Sequence, residues 1–221
     1  MYSAEAGLLL FSKDKHADLE IYNDANSDLV NFFRCLKYHS DELKKEIKYY
    51  LNSREMFLDC RERISVTGFT DIQRAAMFYV LVKTGFGASL RTFGCNKKRL
   101  NTDNFADIEA RLDGVVIENK DFEDLIKVYD REKALFYCDP PYHKTERHYT
   151  VKFTEDDHER LCRVLHQIKG RFVLSYNDDK YVRDLYKDYN IQAVTRNNSL
   201  SSGDFKEVII TKFLVFFLEN K

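Results

Sequence analysis

Proline, tryptophan and paired cysteines are scarce or absent in this 221-residue chain. Tryptophan is missing, and the only two prolines, Pro140 and Pro141, are adjacent. The five cysteines form no Cys-x-x-Cys pair, which favours free thiols in a reducing compartment over a zinc or disulfide framework. Apolar runs such as residues 213–218 are too short to span a bilayer, so we expect a cytoplasmic protein that does not bind a membrane.

A large net charge of either sign is missing as well. Lys and Arg together number 35 and Asp and Glu number 36, which leaves a net charge of -1. Proteins that bind nucleic acid through their overall charge are usually basic, so any contact with DNA must use a local basic patch. The length fits one domain, or one domain with a sizeable insertion.

The pattern of apolar residues predicts an α/β fold that is interrupted by one helical span. A strand at residues 19–24 precedes an amphipathic helix whose apolar face contains Leu29, Phe32 and Leu36. Helical patterns at residues 41–58 and 71–83 and a glycine-rich loop or hairpin at residues 84–104 follow without a strand signal. We therefore interpret residues 40–113 as an inserted helical subdomain, and residues 1–39 and 114–221 as the main domain.

From residue 115 onward, strands and helices alternate. Buried strands are predicted at residues 115–117, 134–138 and 171–175, and helices at residues 122–128, 154–169 and 180–186. Thr154 and Asp157 form a capping box at the start of one helix, and Gly170 follows its end. Two closely spaced strands at residues 191–195 and 207–213 suggest an antiparallel pair. This alternation predicts a mostly parallel sheet with antiparallel C-terminal strands and helices on both faces.

Both prolines follow directly on the apolar strand predicted at residues 134–138. In open α/β sheets, ligands bind beyond the carboxyl ends of the strands. Two prolines fix two φ angles and remove two N–H donors, so Asp139-Pro140-Pro141-Tyr142 forms a stiff turn that holds a carboxylate, free carbonyls and an aromatic ring together. A plain turn in which Tyr142 packs into the core explains a bare motif of this kind equally well.

The same four residues suit methylation of an amino group. The exocyclic amine of adenine is a poor nucleophile because its lone pair is delocalised into the ring. Asp139 and the carbonyl of Pro140 can accept hydrogen bonds from this amine and aim its lone pair at a methyl sulfonium. Tyr142 can stack on a base that has left the duplex. Catalysis would then consist mainly of positioning for an in-line displacement.

The motif and its flanks resemble the Dam-like family of DNA adenine-N6 methyltransferases, including its phage members. The similar segments are IYNDANSDLVNFFRCLK, FYCDPPYHKTERHYTVKFTEDDHERL and GRFVLSYND, and the resemblance extends over residues 6–213. It implies a three-layer Rossmann-like methyltransferase fold with a helical target-recognition insertion. It also implies S-adenosylmethionine as the methyl donor, no metal, and double-stranded DNA as the partner of a monomeric enzyme.

Family roles carry over only to matching positions. Asp24 matches the acidic residue that binds the ribose hydroxyls of the cofactor, although it could simply belong to a helix N-terminus beside Asn26. Asp121 and Phe122 resemble the pair that meets the cofactor adenine, although Phe122 could be only the first core residue of its helix. Asp139 would touch both the substrate amine and the cofactor.

The chain departs from the family at its N-terminus. The family has a Lys-containing glycine-rich motif there, then a strand and a glycine loop that wraps the cofactor. Residues 1–11 match only the last part of that loop, and Gly7 is the one candidate for a cofactor-binding glycine. We therefore expect a truncated member that binds S-adenosylmethionine weakly. The alternatives are an inactive DNA-binding relative and a methyltransferase for another amino substrate.

A basic stretch between residues 72 and 102 contains no acidic residue. Its basic and aromatic residues include Arg74, Lys83, Phe86, Arg91, Phe93, Lys97, Lys98 and Arg99. We interpret the basic residues from Arg91 to Arg99 as DNA-binding, with the aromatic residues suited to wedging into the duplex. The alternative is a solvated surface loop.

Other polar residues near the motif have ordinary alternatives. Ser175, Tyr176 and Asn177 end a neighbouring strand and could line the pocket, but turn residues are the simpler interpretation. His143 and His148 lie five residues apart after the motif, and no third ligand is evident, so we predict no metal site.

Overall fold

The computed structural model describes residues 9–88, 90–94, 100–145, 151–197 and 204–212. The chain divides into two compact units, with the boundary between Lys120 and Asp121. Each unit has a hydrophobic cluster of its own. Among the described residues, no helix is long and apolar enough to span a membrane.

The first unit is mainly helical. Its elements are β1 (Glu20–Asn23), α1 (Ser27–Tyr38), α2 (Ser40–Ile47), α3 (Arg54–Arg63), α4 (Asp71–Thr84), α5 (Phe105–Leu112) and β2 (Val115–Glu118). Strands β1 and β2 pair in parallel, with Glu20 opposite Val115 and Asn23 opposite Glu118. The carboxyl ends of both strands therefore lie at the same edge.

Helix α4 is the central element of this unit. Thr70 and Gln73 form a capping box at its start, and the helix packs against α1, α2 and α3. Tyr79 of α4 contacts rings from two other helices. Phe32 of α1 stacks on it with the ring centroids 5.7 Å apart, and Phe105 of α5 meets it edge-on at 5.3 Å. These contacts bury aromatic surface in a chain that has no tryptophan.

Two helix predictions in this unit need correction. The helix expected over residues 41–58 is divided into α2 and α3, because Ser53 accepts a hydrogen bond from the Met56 N–H (3.1 Å) and starts a new helix there. Helix α5 was not predicted, since only its end residues, Phe105 and Leu112, are buried. The structure places the helices of residues 40–113 in one unit with α1, β1 and β2. Their assignment to target recognition stays a prediction.

The second unit alternates strands and helices. Its elements are α6 (Phe122–Tyr129), β3 (Leu135–Cys138), α7 (Glu155–Gln167), β4 (Arg171–Asn177), α8 (Lys180–Leu185), β5 (Asn190–Asn197) and β6 (Asp204–Thr211). The strand order is β3-β4-β6-β5, in which β3 and β4 are parallel and the other pairings are antiparallel. The predicted antiparallel C-terminal pair is confirmed, and the chain has a mixed α/β fold.

The core of the second unit lies between the sheet and its helices. It includes Leu161, Val164 and Leu165 of α7, and Phe172, Leu174, Tyr176, Val208 and Ile210 of the sheet. The predicted capping box is present, with the Thr154 N–H donating to Asp157 at 2.7 Å. Gly170 directly precedes β4, and a Cβ atom there would come within 2.7 Å of the Ala134 carbonyl oxygen.

Strand β3 is less buried than its apolar sequence predicts. It forms the edge of its sheet within the described residues, and Leu135 is 58% exposed. The expectation of a buried strand is therefore wrong for Leu135–Cys138, in which one residue is exposed and three are half-buried. A short run of apolar residues does not distinguish an edge strand from a central one, because it carries no information about the number of neighbouring strands.

Candidate active site

The proline-containing turn begins at the carboxyl end of β3, beside the parallel strand β4. The Ser175 hydroxyl on β4 donates a hydrogen bond to the Asp139 carboxylate at 2.8 Å and lies 3.5 Å from the Cys138 carbonyl oxygen. The carboxylate is therefore held where two adjacent parallel strands end, which is the usual place for a ligand in an open α/β sheet.

Tyr142, the last residue of the motif, is largely buried. Its ring is 9% exposed and lies 6.2 Å from the ring of Tyr176. Its hydroxyl donates to Oε1 of Glu207 at 3.1 Å. The Thr145 N–H and hydroxyl both donate to the Tyr142 carbonyl, at 2.9 and 2.8 Å, and Lys144 adopts a φ of 67° within this tight turn. The motif and the turn after it thus form one compact structure.

His143 fixes this turn to the rest of the unit. Its Nδ1 lies 2.5 Å from the Asp179 carboxylate, and its ring stacks on Tyr181 with the centroids 4.3 Å apart. Its carbonyl accepts a hydrogen bond from the Asn177 side chain at 3.3 Å. Burial opposes the charged form of Asp179, but hydrogen bonds from His143 and the Val182 N–H outweigh it and hold the pKa of Asp179 below its usual range.

Ser175, Tyr176 and Asn177 belong to β4 and not to a turn. The simpler interpretation given above is therefore wrong, because strand pairing extends to Asn177, opposite Glu207. Ser175 and Asn177 contact the motif turn, whereas Tyr176 is fully buried and its hydroxyl bonds to Nδ1 of His158. Ser175 and Asn177 support the turn through hydrogen bonds, and Tyr176 supports it through the contact of its ring with that of Tyr142.

Asp24, in the first unit, follows the end of β1. Its carboxylate accepts hydrogen bonds from the Asn26 N–H at 2.8 Å and the Tyr22 hydroxyl at 3.3 Å. Burial raises the pKa of Asp24, although both hydrogen bonds act in the opposite direction. Asn26, and not Asp24, is the N-cap of α1, with its side chain accepting from Asp28 and Leu29. A carboxylate has about four acceptor sites, so these two hydrogen bonds leave Asp24 with capacity to accept others.

Asp121 and Phe122, in the second unit, both contact an arginine that the sequence did not single out. Asp121 caps α6 by accepting the Glu123 N–H at 2.9 Å, and it accepts two hydrogen bonds from Arg160, at 3.1 and 2.8 Å. The Arg160 guanidinium lies 4.4 Å from the centroid of the Phe122 ring. An acidic residue and an aromatic ring are thus held together by one side chain of α7.

The described part of the basic stretch forms a short hairpin. Gly85 and Phe93 form an antiparallel bridge, and Gly87 has a φ of 58° at the turn. Phe93 packs against Phe57 with the centroids 5.9 Å apart, whereas Phe86 is 62% exposed. The two aromatic residues therefore have different roles, one anchoring the hairpin and the other facing solvent.

Of the predicted DNA-binding residues, Arg91 alone lies within the part of the chain that the structure describes. Arg91 is exposed in the hairpin. Gly7, Lys97, Lys98, Arg99 and His148 lie outside the described residues.

Three residues that contact the predicted site residues were not predicted from the sequence: Glu207 and Asp179 bond to the motif turn, and Arg160 contacts Asp121 and Phe122. Glu207, Asp179 and Arg160 come from segments that follow the motif at a distance, and no local pattern singles them out. The one available signal is that Asp179 precedes a short helical pattern, where an acidic residue is a common N-cap.

Comparison with known proteins identifies the family. The model of the D12 class N6 adenine-specific DNA methyltransferases matches residues 6–200. A type II methyltransferase of Lactococcus lactis subsp. cremoris, M1.LlaDCHI, is 28% identical over 227 residues, covering 87% of this chain and 79% of that protein. A DNA N-6-adenine-methyltransferase of Escherichia phage P1 is 24% identical over 216 residues, covering 85% of this chain and 28% of that protein. With a match over most of its length and the motif turn at the ends of two parallel strands, the chain belongs to the D12 class N6 adenine-specific DNA methyltransferase family.

Proposed function

We propose that this chain transfers a methyl group from S-adenosylmethionine to the N6 amine of adenine in double-stranded DNA. The observation that carries the proposal is the placement of Asp139 at the carboxyl end of β3, fixed by Ser175 and followed by two prolines. A carboxylate held in this way is already ordered, so it can accept a hydrogen bond from an amine without a further loss of conformational entropy.

The chain's residues orient the amine for a direct displacement. Asp139 and the Pro140 carbonyl accept hydrogen bonds from the adenine NH₂, so the nitrogen lone pair points along the line of attack. The new N6–CH₃ bond forms as the S–CH₃ bond breaks, and the amine then releases one proton. Tyr142, which is 9% exposed, is assigned to contact with the flipped base, and Pro141 keeps the turn stiff.

The residues assigned to the methyl donor fit its chemistry. Asp24 offers a carboxylate at the end of a parallel strand for ribose hydroxyls, and Gly7 is assigned to the cofactor loop. Asp121 and Phe122 offer an acceptor and a ring for its adenine. S-adenosylmethionine supplies an electrophilic methyl group when it is bound, and we assign no metal.

Assignments at the level of the molecule accompany this function. We assign a three-layer Rossmann-like arrangement, which the parallel β1–β2 and β3–β4 pairs support. Residues 40–113 are assigned to target recognition, with phosphate contacts from Arg91 to Arg99 and a wedge at the exposed Phe86. We assign the protein to the cytoplasm and to a monomeric state. Among the described residues Cys35, Cys60, Cys138 and Cys162 are free thiols, which suits a reducing compartment.

A single-turnover experiment tests the function. The enzyme in excess is mixed with tritium-labelled S-adenosylmethionine and unmethylated genomic DNA of mixed sequence, and modified adenines are then mapped by sequencing. We expect Asp139→Ala to lower the rate by about 10²-fold or more, because the amine loses the acceptor that orients it. DNA affinity should stay within about twofold, since phosphate contacts lie elsewhere.

Asp184→Ala is the matched control, because it removes an exposed aspartate of α8 from the same unit. Its rate should equal that of the wild type. A normal single-turnover rate for Asp139→Ala would refute the proposed role of the motif. A wild-type chain that binds DNA but transfers no methyl group would favour the inactive DNA-binding alternative.

A further inference from the structure

Polar side chains on one face of the four-stranded sheet hold the motif turn. Ser175 and Asn177 are two residues apart on β4 and therefore point to the same face, and Glu207 on β6 lies directly opposite Asn177. The antiparallel register thus places three polar groups together at the end of the sheet where the motif turn begins.

Each of these side chains bonds a different part of the turn. Ser175 donates to the Asp139 carboxylate at 2.8 Å, and Asn177 donates to the backbone carbonyl that follows the motif at 3.3 Å. Glu207 accepts from the Tyr142 hydroxyl at 3.1 Å. The Glu207 contact is the one made to the ring that is assigned to the flipped base.

A glutamate is an unfavourable residue at this buried position of β6. Glu207 is only 4% exposed. It lies on β6, which also contributes Val208 and Ile210 to the core. Burying a carboxyl group is unfavourable on general grounds, and an apolar side chain would fill the same space without that penalty. A buried acceptor directed at the motif tyrosine therefore indicates a role in fixing the ring.

The hydroxyl of Tyr142 supports the same conclusion. Stacking on a base requires only an aromatic face, which phenylalanine also supplies. In this chain the hydroxyl makes a hydrogen bond to a buried carboxylate. That bond anchors the far end of the ring and limits its swing about the Cα–Cβ bond, because the hydroxyl lies far from that bond. Small errors in orientation at a reacting centre reduce rates strongly, so this restraint bears on the chemical step.

We propose that Glu207 is a positioning residue for methyl transfer, which acts by holding the Tyr142 ring at the angle that the flipped adenine requires. The inference rests on the proposed function. Glu207 touches neither the reacting amine nor the methyl group, and its effect passes through the Tyr142 hydroxyl.

A double-mutant cycle tests this inference. Tyr142→Phe removes the donor, Glu207→Met removes the acceptor while keeping an unbranched side chain, and the double variant removes both. Single-turnover transfer should fall about tenfold or more in each single variant, on the scale of a hydrogen bond to a charged group. The double variant should be no slower than the slower single variant, because all three lose the same bond.

Three further measurements separate positioning from a merely structural role. Glu207→Gln keeps an acceptor oxygen and should restore most of the lost rate. Lys206→Met, at an exposed neighbouring position on β6, should match the wild type. Once the methylated site is mapped, the target adenine can be replaced by 2-aminopurine, whose fluorescence rises when the base leaves the stack. This rise should be smaller with the Tyr142→Phe and Glu207→Met variants than with the wild type. The affinity of both variants for the duplex should stay within about twofold of the wild-type value.

The outcomes distinguish this inference from the function on which it rests. The role of Glu207 would be overturned if the rate losses of the two single variants multiplied in the double variant. It would also be overturned if folded Glu207→Met kept the wild-type rate. Both outcomes leave the proposed function intact. A wild-type chain that transfers no methyl group would overturn both.

Discussion

Asp179 joins two parts of the second unit through one carboxylate. It caps α8 by accepting the Val182 N–H at 2.9 Å, and it holds the ring of His143 directly after the motif. Because hydrogen bonds to the charged form outweigh burial, the pKa of Asp179 lies below its usual range. The same group therefore couples the conformation of the motif turn to the charge state of a carboxylate.

Asp179 should contribute to the acid sensitivity of the fold. Its folded-state pKa is lower than its unfolded value of about 3.9, so its stabilisation is fully present above that value and is lost as the pH falls through the folded pKa. Asp179→Asn keeps a capping oxygen but removes the charge. We expect its free energy of unfolding to decrease less steeply than that of the wild type between about pH 5 and pH 2.

Urea unfolding at a series of pH values measures this difference. Asp184→Asn, at an exposed position of the same helix, should follow the wild-type pH dependence. Identical slopes for Asp179→Asn and the wild type would show that the bond with His143 contributes nothing to acid sensitivity.

At the scale of elements, the approach of β4 to the segment before β3 depends on a single glycine. A Cβ atom at Gly170 would lie 2.7 Å from the carbonyl oxygen of Ala134 and 2.9 Å from that of Arg131. Both atoms are backbone and cannot rotate away. The Gly170 N–H also donates to the Asp130 carboxylate at 3.0 Å, so the connection is fixed on two sides.

Gly170→Ala should therefore lower the free energy of unfolding by about 1–3 kcal/mol, the usual cost of overpacking. Gly114→Ala is the control, because a Cβ atom there meets nothing within 4 Å. Denaturant titration should show no comparable loss for the control. Equal stabilities of the two variants would mean that β4 shifts without cost.

Elements with a strong local pattern could be predicted from the sequence, and those that depend on distant neighbours could not. The capping box at Thr154 and the apolar face of α7 are local, and the helix is present as expected. The division between α2 and α3 depends on one capping side chain, and the edge position of β3 depends on how many strands pair with it. Neither is visible in apolar periodicity.

The candidate site shows the same limit. The two adjacent prolines identify Asp139 and Tyr142 directly, because proline is absent elsewhere. Glu207 and Asp179 contact the turn across 65 and 36 residues of sequence. Such partners are set by strand register and helix placement, which a single sequence does not specify.

At the scale of the whole molecule, the net charge of -1 requires DNA binding to be local. We expect reversal of Lys97, Lys98 and Arg99 to Glu to weaken DNA binding and to reduce the slope of log affinity against log salt by about 0.9 for each lost phosphate contact. The single-turnover rate at saturating DNA should stay close to that of the wild type.

Binding titrations at two or more salt concentrations check this expectation. Reversal of Lys13, Lys133 and Lys187, which are exposed elsewhere, produces a similar change of net charge and serves as the control. An equal loss of affinity in both triple variants would indicate that overall charge, and not the basic stretch, governs binding.

Within the described residues β3 pairs with β4 alone, and this edge position has a consequence for motion. An edge strand has a ladder on one side only, so it opens locally at a lower free energy than a central strand. Amide hydrogens of Leu135–Cys138 should accordingly exchange with solvent sooner than those of Arg171–Asn177, which pairs on both sides. The motif turn is then ordered by the side-chain hydrogen bonds of Asp139, Tyr142 and His143 more than by β3, which leads into it. The partners of these bonds lie on or directly after the neighbouring strands, so the rigidity of the turn depends on those strands.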